Sequence, residues 1–307
     1  MLMYVHLLGT AAGGGFPQWN CNCINCHGLR TGKICARART QSCVAISGDG
    51  CHWFLLNVSP DIREQIASFP ALQPPLHARR GTAITGILLT DADLDHSLGL
   101  LLLREGTPLH VYATSSIRQT LTSGLNLAPT LQAYSGLCWH EPSCSLAPLL
   151  CPDGSATGLL YEAFPVSGHP PRFRERALQQ PGDRVGYRFT DEQNGKTLLF
   201  LPGLSSFEDI PHHYLYDSHA LLLDGTFWSE YEMEEQQVGN TSATQMGHLP
   251  VGGPFGSLAR LATLPIDHKI YMHINNTNPM LLEDSPEYAS VRSAQAEVGW
   301  DGLELLL

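Results

Sequence analysis

Apolar runs alternate along the chain with polar, glycine-rich or proline-rich connections. Residues 3–9 read as a strand that ends in the glycine loop Gly13-Gly14-Gly15. "SCVAISGDGCHWFLLNVSP", Ser42 to Pro60, reads as a hairpin, because two apolar runs flank the turn residues Gly48-Asp49-Gly50. "DIREQIASFPAL" follows as a short helix with Asp61 expected at its N-cap. "AITGILLT" is a continuous apolar run, the pattern of a strand covered on both faces. "SLGLLLLRE", just after His96, reads as a helix. Further strands are predicted in "LHVYAT", "LYEAFPV", "HALLLDGTFW" and "HKIYMHIN", and a second hairpin in "VGYRFTDEQNGKTLLFLPGLS" turns at Asn194-Gly195. The sum is a strand-heavy α/β chain expected to form a single domain over 1–307, with the seam of any duplication near residue 165.

Composition narrows the classes. Of 307 residues, 43% are hydrophobic, enough for a sizeable core. No apolar run reaches the roughly 18 residues of a membrane span. The apolar start lacks a basic segment and breaks at the glycines, so it reads as a strand and turn, not a signal peptide. The formal charge is −11 and no basic stripe exists, which disfavours nucleic acid and anionic membranes as partners. Three of the nine cysteines fall within six residues, a spacing that suits a metal better than a disulfide framework. A cytoplasmic location is expected.

Two constellations carry candidate chemistry. In "CNCINC", Cys21, Cys23 and Cys26 are soft ligands close enough to converge on one ion, zinc being favoured; three ligands leave the fourth open. In "LLTDADLDHSLGLL", Asp91, Asp93 and Asp95 alternate at the mouth of the buried strand and His96 follows. If the segment is extended, the three carboxylates share one face. Like charges so close need a cation or retained protons. The bland alternative is a solvated acidic turn with Asp95 capping a helix. Asp224 and His273 each follow an apolar strand directly, and His169 and His248 sit in glycine- and proline-bearing loops.

The frame Asp91-x-Asp93-x-Asp95-His96 resembles the His-x-His-x-Asp-His signature of the metallo-β-lactamase superfamily. Within it, "GTAAGGGFPQWNCNCINCHGLR", "TDADLDHSLGLLLLREG", "LLLDGTFW", "MGHLPVGG" and "KIYMHINNTNPML" resemble a family that takes part in making pyrroloquinoline quinone (PQQ). The matching stretches span nearly the whole chain. The resemblance implies a four-layer αββα sandwich with a metal site on loops at one edge. It implies Fe(II), O2 and an external reductant acting on the tyrosine ring of a small Glu–Tyr intermediate excised from a precursor peptide, in company with other PQQ biosynthesis proteins. Alternatives are a carrier or transport role for PQQ or its precursor, and a metal-dependent hydrolase. Asp95, His96 and His273 are then the iron ligands, with Asp224 a further one. Asp91, Asp93 and His248 would orient ligands, relay protons or bind ammonium groups, and His169, Asn275 and Asn276 would meet the substrate. Superfamily hydrolases carry histidines at the positions of Asp91 and Asp93 to help hold a second metal, so their replacement implies one redox-active ion. The cysteine cluster resembles the structural zinc loop of a phosphodiesterase branch. The fourth ligand there is a histidine; the corresponding residue here is Asn276.

Overall fold

The computed structural model describes residues 2–76, 78–168, 170–174 and 180–307. Two seven-stranded sheets are formed. The first holds β1 (Tyr4–Gly9), β2 (Cys43–Ser47), β3 (Trp53–Leu56), β4 (Ile84–Leu88), β5 (Leu109–Tyr112) and β6 (Leu137–His140) in chain order. The second holds β7 (Ala147–Leu150), β8 (Ala156–Pro165), β9 (Val185–Asp191), β10 (Thr197–Leu201), β11 (Ala220–Asp224), β12 (His268–Met272) and β13 (Glu297–Val298). The last strand, β14 (Glu304–Leu306), returns to the first sheet beside β1. The chain passes between sheets after β6, ahead of residue 165.

Strand alternation sorts the apolar side chains into three layers. Val5, Ile46, Phe54 and Leu88 of one sheet pack against Tyr187, Phe200, Leu222 and Ile270 of the other. On the outside of the first sheet, Leu55, Ile87 and Val111 pack with Ile62, Leu100 and Ile117 from helices. On the outside of the second, Leu221, Leu223 and Tyr271 pack with Tyr214, Leu261 and Val291. This is the αββα sandwich, and it explains why "AITGILLT" lacks a polar face: both sides of β4 are covered.

The two hairpins form as the pattern predicts, β2 with β3 and β9 with β10, both antiparallel, and Gly195 takes the left-handed φ of +72° at the second turn. The strands beyond them run parallel: β3 to β6 in one sheet and β10 to β13 in the other. Residues leaving β4, β11 and β12 therefore emerge at strand carboxyl ends, where open α/β sheets gather their ligands.

Two local expectations change. Asp61 precedes the helix α2 (Ile62–Ser68) but makes no capping hydrogen bond. Its carboxylate accepts instead from the Gln41 backbone N–H (2.8 Å) and side-chain amide (3.0 Å). The single helix expected after His96 is two short turns, α3 (Leu94–Ser97) and α4 (Gly99–Leu102), and it starts before His96. The loop after β3 is the cause. Val58 donates its N–H to the His96 carbonyl (2.8 Å) and accepts from the Gly99 N–H (3.1 Å), so these groups are taken from the helix ladder.

Gly99 is needed for that contact: a Cβ there would lie 2.3 Å from the Ser59 carbonyl oxygen and 2.6 Å from Val58 Cγ2. Gly99→Ala is expected to cost about 1–3 kcal/mol, the usual range for overpacking. Urea unfolding read by circular dichroism measures it; an unchanged midpoint would show that the loop yields freely.

Candidate metal centre

The acidic turn begins at Thr90, which Asn57 fixes. Asn57 holds a left-handed φ of +61°, accepts from the Thr90 N–H (2.9 Å), and donates to its hydroxyl (2.9 Å). Asp91 is 2% exposed and chelates its neighbourhood. It accepts from Thr90 Oγ1 (2.8 Å) and the Asp93 N–H (3.0 Å), and its two oxygens lie 2.8 and 2.9 Å from His96 Nδ1. Asp93 faces Arg184 Nη2 at 3.4 Å, and Asp95 Oδ2 lies 3.1 Å from His273 Nε2. The three carboxylates thus go to three different partners and do not share a face. The segment is extended only to Asp93 (φ −60°, ψ 150°); α3 starts at Leu94 and rotates Asp95 away.

Asp95, His96 and His273 bring one donor atom each within 4.8 Å of one another. Among the described residues the buried His96 Nε2 has no hydrogen-bond partner, and it lies 4.0 Å from Asp95 Oδ2. A buried polar atom without a partner is costly, and here it points the residue's one free donor at the other two ligands. Each imidazole is oriented from behind: His96 Nδ1 by Asp91, and His273 Nδ1 by Thr226 Oγ1 at 2.8 Å. Such outer partners set the tautomer that leaves Nε2 for an ion. His273 itself has a left-handed φ of +55°, a strained choice for a residue with a Cβ. Backbone bonds on both sides hold it: Gly225 N–H to the Met272 carbonyl (2.8 Å) and Ile274 N–H to the Thr10 carbonyl (2.9 Å). The glycine loop closes over the same place, since a Cβ on Gly13 would be 3.3 Å from Asp95 Oδ2.

A second donor group, Asp224, His248 and His273, shares His273 with the first. Asp224 Oδ2 accepts from the Leu204 N–H (2.9 Å) and lies 2.6 Å from His248 Nδ1. Its other oxygen accepts from the Thr226 N–H (3.0 Å) and hydroxyl (2.6 Å). Both oxygens are thus committed to protein donors.

The charges are strongly coupled. Burial alone would raise Asp91 and Asp95, but the charge of His96, with hydrogen bonds from His96 and His273 respectively, holds both below the usual carboxylate range. Burial would lower His96; Asp91 and Asp95 outweigh it and raise the imidazole to about 9, so an ion taking Nε2 must displace a proton. Asp93 is raised to about 6, first by desolvation and then by Asp91. A third of its side chain still reaches solvent, so it is the carboxyl nearest the mouth.

At the second cluster the Asn276 amide nitrogen lies 3.2, 3.5 and 3.4 Å from the sulfurs of Cys21, Cys23 and Cys26. The side chain expected at the substrate is thus turned to the cysteines and is 4% exposed. Asn275 is half-buried and donates to Thr277 Oγ1 (2.5 Å) and towards Met233 Sδ (3.5 Å). His169 lies outside the described residues. The three sulfurs also lie within 4.8 Å of one another. A hydrogen bond from Cys26 lowers Cys23 to about 5 and raises Cys26 in turn, as expected where neighbouring thiols share a proton. Asn25, the second residue of α1 (Ile24–Arg30), donates to the carbonyls of Asn276 (3.0 Å) and Asn278 (3.1 Å).

Thr226, Arg184, Asn57 and Asn25 were not singled out in the sequence. Thr226 alone had a local signal, two residues beyond Asp224 at a strand end.

A model described as the beta-lactamase superfamily domain matches residues 52–274. The chain is 44% identical to coenzyme PQQ synthesis protein B of Pseudomonas putida (strain W619), over 99% of this chain and all of that one. It is 42% identical to the protein of the same description from Acinetobacter baumannii (strain AB0057), with the same coverage. Among solved structures, zinc-bound PqqB from Methylobacterium extorquens superposes with a TM-score of 0.89 at 37% identity, covering 99% of this chain and 100% of that chain. A diphosphatase of the PhnP family shares the fold, with a TM-score of 0.66 at 20% identity and coverage of 100% and 98%.

Asp91→Asn keeps the shape of the site but turns an obligate acceptor for His96 Nδ1 into a group that can present N–H. It is expected to weaken divalent-metal binding by about 10- to 100-fold, the usual cost of losing such a partner. Competition titration with a chromophoric chelator reads the affinity; an unchanged value would remove Asp91 from the site.

Proposed function

The chain belongs to the coenzyme PQQ synthesis protein B family of the β-lactamase superfamily, and from that premise we propose that it is a metal-dependent oxygenase of PQQ biosynthesis. Its substrate is the small Glu–Tyr product excised from the precursor peptide, and its reaction is hydroxylation of the tyrosine ring. The observation that carries this reading is the donor set: two histidines and one carboxylate, His96, His273 and Asp95, converge with one buried donor atom unpaired. Two histidines and a carboxylate suit non-haem Fe(II) and leave coordination positions open.

When bound there, iron(II) supplies O2 activation. In the overall balance one oxygen atom enters the ring, the other leaves as water with two protons from solvent, and an external donor provides two electrons. The protein's own groups do the rest. Asp91 and Thr226 keep the two imidazoles in the metal-binding tautomer. Asp224 takes up the hydrogen-bonding capacity of Thr226 and His248 and so holds them beside His273; His248 and His273 stack with ring centroids 5.5 Å apart. Asp93 at the mouth offers a carboxylate to an ammonium group of an amino-acid-like substrate. Zinc at the cysteine cluster would find its fourth donor in the Asn276 carboxamide, whose oxygen reaches the sulfurs after a half-turn of the amide.

The test is anaerobic reconstitution with Fe(II), then addition of O2, a reductant and a Glu–Tyr dipeptide, read by mass spectrometry. A gain of one oxygen atom is expected, lost with zinc in place of iron and lost in Asp95→Ala and His273→Ala. No gain despite bound iron and bound substrate would sink the oxygenase and leave the hydrolase and carrier roles. A separate measurement concerns the cysteines: Asn276→Ala should release zinc to a chelator faster than the unaltered chain, and equal release rates would exclude the carboxamide as a ligand.

A further inference from the structure

Arg184 stands just before β9 and is 6% exposed. Its Nη2 lies 3.4 Å from Asp93 Oδ2, its Nη1 donates to the Gly247 carbonyl at 3.2 Å, and its Nε has no partner among the described residues. The cavity for it is built by small residues. A Cβ on Gly168 would be 2.8 Å from Nε, and one on Gly203 would be 2.9 Å from Nη1. Its strand is tied to the acidic turn, since the Val185 N–H donates to the Thr90 carbonyl at 2.8 Å. The charges that act on the guanidinium are those of Asp91, Asp93, Asp224 and Asp95, and together they outweigh the cost of its burial.

Four carboxylates in one mostly buried cluster require cations. An ion on Asp95, His96 and His273 answers part of that charge. What remains would draw in protons or another ion. Guanidinium is a cation that never deprotonates in a protein, accepts no hydrogen bond and offers no open coordination position. We propose that Arg184 takes the electrostatic place of a second metal ion and so fixes this centre at one ion. The other donor group fits this arrangement: it has to borrow His273 from the first, and Asp224 is already spent on His248, Thr226 and Leu204. A lone ion beside a fixed cation cannot form the metal-bridged water of a two-metal hydrolase, which is how this residue would separate redox chemistry from hydrolysis.

This inference rests on the metal-site reading above, and its test tells the two apart. The full chain, with zinc retained at the cysteines, is titrated anaerobically with Mn(II) and read by elemental analysis and electron paramagnetic resonance. The unaltered protein and Arg184→Lys should each bind one Mn(II), with the spectrum of an isolated ion. Arg184→Gln, shown to be folded by circular dichroism, should bind a second, with the spectrum of an exchange-coupled pair. A coupled pair in the unaltered protein overturns the proposal with no recourse to variants. A folded Arg184→Gln that saturates at one Mn(II) overturns it too. No Mn(II) uptake by the unaltered protein rejects the metal site itself, and this inference with it.

Discussion

Carboxylates taken out of water must be matched by positive charge within a few ångströms, or they take up protons. Asp91 and Asp224 are each 2% exposed, and Asp93 and Asp95 stand beside them. Asp91 finds its partner, His96, within the same turn, but the partners of the other three come from elsewhere in the chain: Arg184 ahead of β9, His248 from a loop, His273 from the end of β12. Each of these latter pairings spans the two sheets or two loops of one sheet. The electrostatics of the centre therefore depend on the two sheets meeting in register, and the buried layer between them maintains that register.

The sandwich serves this by leaving its loops no choice at the strand ends. β4, β11 and β12 run parallel with their neighbours and finish on apolar runs (Ile87-Leu88, Leu221–Leu223 and Ile270–Met272), so the polar residues that follow appear where the sheet stops. Short polar anchors then set angles: Asn57 for the acidic turn, Thr226 for His273 and His248. Neither anchor touches the three converging donor atoms as a fourth ligand; each fixes where a ligand points.

How much of this the sequence disclosed follows from what kind of interaction fixed each part. The hairpins and the strands β1 to β5 and β8 to β12 depend on local apolar pattern and turn residues, and these were readable; the short strands β6, β7, β13 and β14 carry too little pattern, and the four-layer order came from the family resemblance. Asp91, Asp95, His96, Asp224 and His273 were readable as candidates because strand ends concentrate chemistry. The divergence of Asp91, Asp93 and Asp95 was not, because it depends on where a helix starts, and α3 begins one turn earlier than the apolar run suggests. The break at Gly99 comes from the loop after β3, some forty positions back. Arg184 was invisible for a similar reason: nothing in its neighbours marks it, and only the folded sheets bring it to the aspartates.

The stretch from His273 to Asn278 serves two masters. At one end it carries an imidazole of the acidic centre; three residues on, Asn276 reaches all three sulfurs, and Asn25 grips the carbonyls of Asn276 and Asn278. Asn278 in turn donates to the Gly225 carbonyl (2.9 Å), next to Thr226. A sulfur lost to oxidation would thus be felt as a tilt of the imidazole. Cys26 is fully buried, Cys23 is 7% exposed and Cys21 is only partly covered, so of the three thiols on which the imidazole's footing depends, Cys21 is the one that an oxidant in solution would reach first.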